Sequence, residues 1–251
     1  MSERLRMSIF AAGVLGFAAV LVWGLGGLPD FGDFAGRYGQ YLAHSAVPQR
    51  HATSSVAVTT FDFRGVDTLI EEFILFTAAV GVVALLRVQR ASEEVPAEPD
   101  PRRQPTAQSG ALRSLIAAVV GPTLVLGIEI VLHGHLTPGG GFQGGVILMT
   151  ALFCVYLAGS HIGLGPFRPM AAMEASEGIG AAGFALIGLG GLVIAAAYLE
   201  NFLPFGRVGN LISGGDVPLL NIAVGLEVMG ALLVVLGEFL DQRLLMRKGK
   251  L

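Results

Sequence analysis

Six long apolar runs constrain this chain more than any other feature of its sequence. Each run is about as long as an α-helix that crosses a bilayer, and together they cover residues 7–28, 69–86, 111–132, 143–164, 178–199 and 217–238. Only 14% of the residues are charged, whereas soluble domains carry about 25%. The sequence therefore predicts an all-α integral membrane protein with about six transmembrane helices.

A polar segment rich in proline divides the six predicted helices into two groups. Residues 89–110 combine several prolines with charged residues, a composition that is typical of disordered linkers. We therefore expect a two-span front part (residues 1–88) and a four-span back part (residues 111–251), joined by this linker. Such an arrangement indicates two originally separate pieces.

The distribution of positive charges predicts the orientation of the chain. Six spans would place both termini and the linker on one side of the membrane, and that side carries twelve of the 16 Lys and Arg residues. Because basic residues concentrate in cytoplasmic loops, both termini and the linker are expected in the cytoplasm. We predict a multi-pass protein of the bacterial cell (inner or plasma) membrane.

The loop between the third and fourth runs has the most unusual sequence of the chain. It reads His-Gly-His-Leu-Thr-Pro-Gly-Gly-Gly-Phe-Gln-Gly-Gly over residues 133–145. A proline followed by three glycines cannot continue a helix, and irregular backbone at membrane depth needs protein or water to satisfy its polar groups. The loop is expected to be either a short surface turn or a functional element.

Glu227 is the most costly residue in the predicted membrane helices. It lies about eleven residues into the last run, near the middle of the membrane, where a carboxylate costs about 2.5–3.5 kcal/mol. We therefore expect Glu227 to face protein or water rather than lipid. It would act there either as an ion-carrying group or as a protonated, hydrogen-bonded contact between helices.

The other acids lie closer to the ends of the runs. Glu129 and His133 are four residues apart and share one helical face, so they could pass a proton or form an interfacial ion pair. Glu71 and Glu72 point about 100° apart near the outer end of the second run, where Arg64 or a partner subunit could neutralise one of them. Three further acids are expected to be solvated at span ends: Glu177, Glu200 and Glu238.

No motif for a catalytic or cofactor-binding site occurs in the sequence. Residues 178–183 match the spelling G-x-G-x-x-G, but they lie inside an apolar run and indicate close helix packing rather than a dinucleotide site. His133 and His135 lack a third ligand for a metal, the single cysteine excludes an internal disulfide, and no basic–aromatic surface for nucleic acid occurs. We therefore predict no enzyme activity, no cofactor, no metal and no nucleic-acid partner.

Two stretches of the back part resemble a known family. Residues 134–145 are similar to the signature loop of the MnhB/MrpB subunits of multisubunit Na⁺/H⁺ (Mrp-type) antiporters, and residues 218–225 are similar to that family's carboxy-terminal helix. The family often has Asp where this chain has Asn221. The resemblance covers about residues 111–240, and it assigns these positions to the signature loop: Gly134, His135, Pro138, Gly139, Gly140, Gly141, Phe142, Gly144 and Gly145.

The front part resembles a different subunit. Residues 61–71, Phe-Asp-Phe-Arg-Gly-Val-Asp-Thr-Leu-Ile-Glu, are similar to a segment near the carboxy terminus of the large MrpA subunit, which also occurs in related membrane hydrogenase subunits. Ile70 replaces the usual glycine, and Glu71 rather than Glu72 corresponds to that family's glutamate. The chain thus looks like an MrpA tail joined to an MrpB body through the linker.

The resemblance implies a role within a larger membrane complex. The expected partners are MrpA-like, MrpC-like, MrpD-like and small Mrp subunits together with membrane lipid, and the expected transported ions are Na⁺ and H⁺. The candidate residues for an ion or proton path are Glu71, Glu227, Glu129 and His133. Two alternatives stay open: a purely structural scaffold subunit, and a membrane subunit of a related energy-converting hydrogenase complex.

Overall fold

A computed structural model describes residues 3–28, 36–92, 110–158 and 170–246 of the chain. Helices make up most of this part, and no strand occurs in it. In chain order they are α1 (Glu3–Gly26), α2 (Arg37–Arg50), α3 (Ser55–Val58) followed by a π-helical turn (Thr59–Phe63), α4 (Gly65–Ser92), α5 (Gly110–Leu132), α6 (Gly141–Ala158), α7 (Met170–Ala195) and α8 (Val217–Met246). The predicted all-α class is confirmed.

The chain divides into two compact units, Met1–Gln40 and Tyr41–Leu251. The first unit contains α1, an apolar helix whose described side chains are exposed. The second unit contains all helices from α3 onwards. The candidate site described below lies entirely within this second unit.

In the part of the chain that the structure describes, five helices are long and apolar enough to cross a membrane. The apolar part of α6, Gly141–Val155, is shorter than the other five, which are Met7–Gly26, Gly65–Leu86, Gly110–Leu132, Ala171–Ala195 and Val217–Phe239. The membrane class predicted from the sequence is thereby confirmed, whereas a sixth span stays a prediction.

Several helices begin earlier than the predicted apolar runs, and α7 and α6 are the two that bear on the site. α7 begins at Met170 rather than at residue 178, because the less apolar residues before 178 include the good helix formers Met, Ala and Glu. α6 begins at Gly141 rather than at residue 143, so the last glycines of the glycine-rich stretch are helical. Apolarity alone therefore places these starts too late.

The structure describes only the two ends of the predicted linker, residues 89–110. α4 continues to Ser92 and α5 begins at Gly110, so both ends of the predicted linker are helical. Residues 93–109 lie outside the described residues. The division into domains at this segment stays a prediction.

α8 is the central helix of the second unit. It packs against α4, α5, α6 and α7, and it is mostly buried, whereas α4 and α5 are mostly exposed. Its first three turns contribute to a core cluster of Ala57, Phe61, Phe184, Val217, Leu220, Ala223, Val224 and Val228. A side chain in the middle of α8 is therefore surrounded by protein rather than by lipid.

Glycines permit the close packing of α6 against its neighbours. A Cβ at Gly144 would lie 2.9 Å from the carbonyl oxygen of Gly127 on α5, and a Cβ at Gly145 would lie 2.9 Å from that of Gly225 on α8. Real side chains do not make contacts this short. Small residues at these positions let the helix backbones approach each other, as is common between membrane helices.

Candidate functional site: a buried acid cluster

Two glutamates meet inside the helix bundle. Glu72 of α4 and Glu227 of α8 are completely buried, each with 0% of its surface exposed, and their carboxyl groups interact with each other. None of the four carboxyl oxygens has a hydrogen-bond partner among the described residues. The pair therefore places polar oxygens in an apolar interior, without a donor from the described part of the chain.

Both carboxyl groups lie deep within the apolar stretches. At the α-helical rise, Glu72 is about 10 Å from the start of α4 and Glu227 is about 15 Å from the start of α8. Each apolar stretch is about as long as the hydrocarbon core of a bilayer is thick, about 30 Å, so Glu72 lies about a third and Glu227 about half of the way along its stretch. Because isolated carboxylates are strongly disfavoured there, a proton or a cation must accompany the pair.

The sequence of α4 explains why Glu72 faces the protein. Gly65, Thr68, Glu72 and Ala79 are all buried, and their spacing places them on one helical face. The small residues of this face let α4 approach α8. The bulky apolar residues nearby are exposed instead: Val66, Ile70, Phe73 and Ile74.

Glu177 of α7 adds a third buried acid to the pair. Its exposed fraction is 4%, its Oε1 has no hydrogen-bond partner among the described residues, and it interacts electrostatically with Glu227. We call Glu72, Glu177 and Glu227 the acid cluster.

The expected solvation of the acids at the span ends is only partly correct. It is wrong for Glu177, because α7 begins eight residues earlier than expected and places this residue inside the helix. It is also wrong for Glu238, which is buried, whereas Glu200 is exposed as expected. The two errors both concern acids whose helices extend beyond the predicted run.

Glu71 lies outside the acid cluster. Its side chain is exposed on α4, since adjacent helical residues point about 100° apart. Arg64 forms an ion pair with Asp67, so the expected neutralisation of a glutamate by Arg64 is not observed among the described residues. Glu71 faces the surroundings of the chain, where lipid or a partner subunit would contact it.

Glu129 and His133 form an ion pair at the end of α5. The His133 Nδ1 atom lies 3.0 Å from Glu129 Oε1, and the Glu129 side chain is 59% exposed. The pair is therefore accessible from outside the chain, unlike the acid cluster. Of the four path residues predicted from the sequence, the structure places only Glu227 in that cluster.

The glycine-rich loop packs directly against α8. Asn221 is completely buried; its Oδ1 accepts a hydrogen bond from the Gly141 N–H (2.9 Å), and its Nδ2 donates to the Val217 carbonyl (3.0 Å). Gly139 and Gly140 have φ angles of +138° and +140°, which residues with side chains rarely adopt. Glycine is therefore required for the path of this loop.

Three segments lie at one end of the second unit, where polar side chains join them: residues 50–64, 133–140 and 199–216. We call this end the loop end. Arg50 Nε lies 2.9 Å from the Asp62 carboxylate. Asn201 Nδ2 donates to Asp62 (2.9 Å), and Asn201 Oδ1 accepts from the Asp216 N–H (2.9 Å). These contacts connect the segment before α4 with the segment before α8. We call the opposite end, where α5 and α7 begin, the linker end.

Two titratable groups are buried at the loop end. Burial raises the pKa of Asp216, although the N–H groups of Phe202 and Leu203 donate to its carboxylate at 3.1 and 3.2 Å. Burial lowers the pKa of His135, whose Nε2 lies 3.4 Å from the Asn210 carbonyl oxygen. His135 Nδ1 has no hydrogen-bond partner among the described residues. Burial therefore disfavours the charged form of this histidine.

A metal centre is not part of this arrangement as far as the structure describes it. The described ranges contain no group of three or more His, Cys, Asp or Glu residues that could hold a metal ion. Carboxyl groups that face each other in an apolar interior can instead bind and release a proton or a monovalent cation. The acid cluster is accordingly a candidate ion path.

Two family models match separate parts of the chain. Residues 111–234 match a domain related to the MnhB subunit of Na⁺/H⁺ antiporter, and residues 13–103 match MbhE, a subunit of MBH. Glu72 lies within the second match, whereas Glu177 and Glu227 lie within the first. The acid cluster thus combines residues from both matched parts.

One relative comes from the archaeon Methanocaldococcus jannaschii. The chain is 34% identical over 211 residues to its protein named Uncharacterized protein MJ1307, and the alignment covers 76% of this chain and 77% of the relative. The similarity therefore includes most of both proteins, beyond the signature loop alone.

Two solved membrane complexes contain chains with a similar fold. A chain of the membrane-bound sulfane sulfur reductase (MBS), an archaeal respiratory membrane complex, has a TM-score of 0.70 and 28% identity, with 94% of this chain and 98% of that chain covered. A chain of the Mrp complex from Dietzia sp. DQ12-45-1b has a TM-score of 0.66 and 22% identity, with 95% of this chain covered. This chain spans only 26% of the Mrp chain.

Proposed function

Because this chain belongs to the MnhB family of antiporter-related membrane subunits, we propose that it is a membrane subunit of a multisubunit Na⁺/H⁺ antiporter. It takes part in ion transport by the complex and catalyses no reaction of its own. Its partners are MrpA-like, MrpC-like, MrpD-like and small subunits, and the ions moved are Na⁺ and H⁺.

The buried pair of Glu72 and Glu227 is the observation that supports an ion path most directly. Both carboxyl groups are fully buried and lack hydrogen-bond partners among the described residues. A group that is stable at membrane depth only with a proton or a cation is well suited to take one up and pass it on. In this proposal, ions cross the membrane between α4 and α8.

The proposed orientation follows from the positive charges. Most Lys and Arg residues lie on the side of the termini and the linker, so the linker end faces the cytoplasm and the loop end faces outward. We place the protein in the bacterial cell membrane.

The remaining candidate path residues have different proposed roles. Glu71 is exposed on α4 and would contribute to an ion path only together with a partner subunit that covers it. Glu129 and His133 form their ion pair at the loop end of α5, where they would exchange protons with the outer side. Neither role requires contact with the acid cluster.

Replacement of Glu72 or Glu227 by Gln in the assembled complex tests the path. Gln keeps the size of the side chain but removes the exchangeable proton. We expect Na⁺-dependent proton movement in everted membrane vesicles to fall by at least about tenfold, a bound set below the 10²–10⁴-fold that a positioned proton-transfer group typically contributes. Co-purification of the partner subunits should be unchanged.

Glu200→Gln is the matched control for both variants. Glu200 is an exposed acid outside the acid cluster, so its replacement should leave transport at the wild-type rate. Normal transport in both E72Q and E227Q would contradict the proposed path. Loss of the partner subunits from both variants would instead indicate a scaffold role for these acids.

A membrane subunit of a redox-driven complex is the second candidate function. It is favoured by the similarity to the MBS chain, which this chain matches over 98% of that chain's length. Purification of the native complex distinguishes the two candidates, since a redox complex would carry iron–sulfur absorbance and an antiporter would not. In either complex, the acid cluster would serve ion movement through the membrane part.

A further inference from the structure

Glu177 and Glu227 occupy reciprocal positions at the crossing of α7 and α8. A Cβ at Gly180 would lie 2.5 Å from the backbone nitrogen of Glu227, and a Cβ at Gly230 would lie 2.6 Å from that of Glu177. Each glutamate thus lies opposite a glycine of the other helix, where the two backbones are in contact. On each helix the glycine is three positions after the glutamate. The two glutamates are therefore about 4.5 Å apart along the helix axis.

The carboxyl group of Glu177 is buried but not satisfied. Its exposed fraction is 4%, and its Oε1 has no hydrogen-bond partner among the described residues. Next to it, Ser176 Oγ donates a hydrogen bond of 2.9 Å to the Leu226 carbonyl. Ser176 and Leu226, which precede the two glutamates, are therefore hydrogen-bonded to each other. This contact holds Glu177 beside Glu227.

Glu177 lies between the Glu72–Glu227 pair and the linker end. It is about 10 Å from the start of α7, and α7 begins at the linker end. One turn closer to that end, Glu174 is partly buried and interacts electrostatically with Glu177. The acids therefore form a series that leads from the middle of the membrane towards the linker end.

We propose that Glu177 is a proton-carrying residue that connects the Glu72–Glu227 pair with the linker end, the side predicted to be cytoplasmic. The inference rests on the proposed function, because it requires that ions reach this pair. In each step an O–H bond breaks at one carboxyl group and another forms at the next, with water bridging any gap between the oxygens. No electrons move, and the cargo of this segment is H⁺ rather than Na⁺, since a single carboxyl offers too few oxygens for a metal cation.

Glu177→Gln and Glu177→Asp in the assembled complex test this proposal. In everted vesicles at saturating Na⁺, E177Q should lower the maximal rate of antiport by at least about tenfold, with the apparent KM for Na⁺ within about twofold of the wild type. E177D should retain part of the rate and show a larger ratio of the rates in H₂O and D₂O than the wild type, because the proton step has become slower. Glu200→Gln serves again as the control.

The outcomes separate this inference from the proposed function. A wild-type rate in E177Q, with transport lost in E227Q, would overturn the role of Glu177 and leave the proposed function intact. A reduced rate in E177D without a larger isotope ratio would indicate a structural role and would also overturn it. Normal transport in E72Q and E227Q would contradict the proposed ion path through this pair, on which the role of Glu177 rests. Where E177Q fails to assemble, the isotope ratio of E177D decides alone.

Discussion

The amide of Asn221 shows how much one side chain contributes to the glycine-rich loop. It is completely buried, and it accepts from the first N–H group of α6 while donating to a carbonyl of its own helix. The loop leaves no room for a larger side chain, since a Cβ at Gly140 would lie 2.8 Å from Asn221 Oδ1. Asn221 and the loop glycines therefore depend on each other.

Asn221→Ala should destabilise the chain. The substitution leaves the buried Gly141 N–H without an acceptor, which costs about 1–3 kcal/mol. For a chain of this size, each kcal/mol corresponds to about 2–4 °C in the midpoint of thermal unfolding, measured in detergent. Asn210→Ala, at an exposed side chain, is the control and should change the midpoint little. An equal midpoint for N221A and the wild type would show that the loop does not depend on this amide.

Individual buried acids are only partly predictable from the sequence. The depth of Glu227 in the last run predicts its burial. Glu72 does not stand out, because the family resemblance points to Glu71, although the small residues Gly65, Thr68 and Ala79 mark the face of α4 on which Glu72 lies. Marking which positions of α4 carry small residues and which carry bulky ones would identify Glu72 as a residue of the buried face.

At the scale of helices, the sequence predicts the presence of a helix better than it predicts the residues at which the helix begins and ends. The long apolar runs correspond to α1 and α4 to α8, since hydrophobic length is a strong signal for membrane helices. The predicted start of α7 is eight residues too late, because its first two turns contain acids that lower the local hydropathy. That error also conceals Glu177, which the apolar run places at a span end.

The crossing of α7 and α8 should depend on Gly180 and not on Gly178. A Cβ at Gly180 would lie 2.5 Å from both the Ala223 carbonyl oxygen and the Glu227 backbone nitrogen, whereas a Cβ at Gly178 would meet nothing within 4 Å. Because backbone atoms cannot move aside, Gly180→Ala should cost about 1–3 kcal/mol of stability and separate the two helices.

Thermal unfolding in detergent and antiport in vesicles check this expectation. G180A should lower both the unfolding midpoint and the transport rate, while G178A, two residues away on the same helix, should match or slightly exceed the wild-type midpoint because Ala favours helix over Gly. Equal behaviour of the two variants would argue against backbone contact at this crossing.

At the scale of the whole molecule, the loop end joins segments that are far apart in the sequence. Its contacts run from Arg50 and Asp62 to Asn201 and Asp216, and His135 is buried beside them. No local pattern predicts these pairings, because they arise only when the helices have been arranged. The membrane class and the family are predictable and are confirmed, whereas this network is not.

The stability of the chain should fall in mild acid because of His135. Burial lowers its pKa below the ordinary value of 6.5, so between the folded and the unfolded pKa the unfolded chain binds more protons than the folded chain. Stability rises with pH wherever the unfolded state binds more protons. The free energy of unfolding should therefore decrease as the pH falls through the ordinary pKa of histidine.

His135→Gln isolates this contribution. The variant should lose less of its thermal unfolding midpoint than the wild type between about pH 7.5 and about pH 5.5, while other titrating groups, including Asp216, affect both proteins equally. Parallel pH profiles for the two proteins would show that His135 is not held neutral in the folded chain.

The central position of α8 has a consequence for biosynthesis. α8 follows in the sequence every helix that surrounds it, and residence of its Glu227 in lipid would cost about 2.5–3.5 kcal/mol. During insertion, α8 is therefore expected to pass from the translocon directly into a groove that the earlier helices have already formed. α8 thus packs against the helices that precede it at the moment it enters the bilayer.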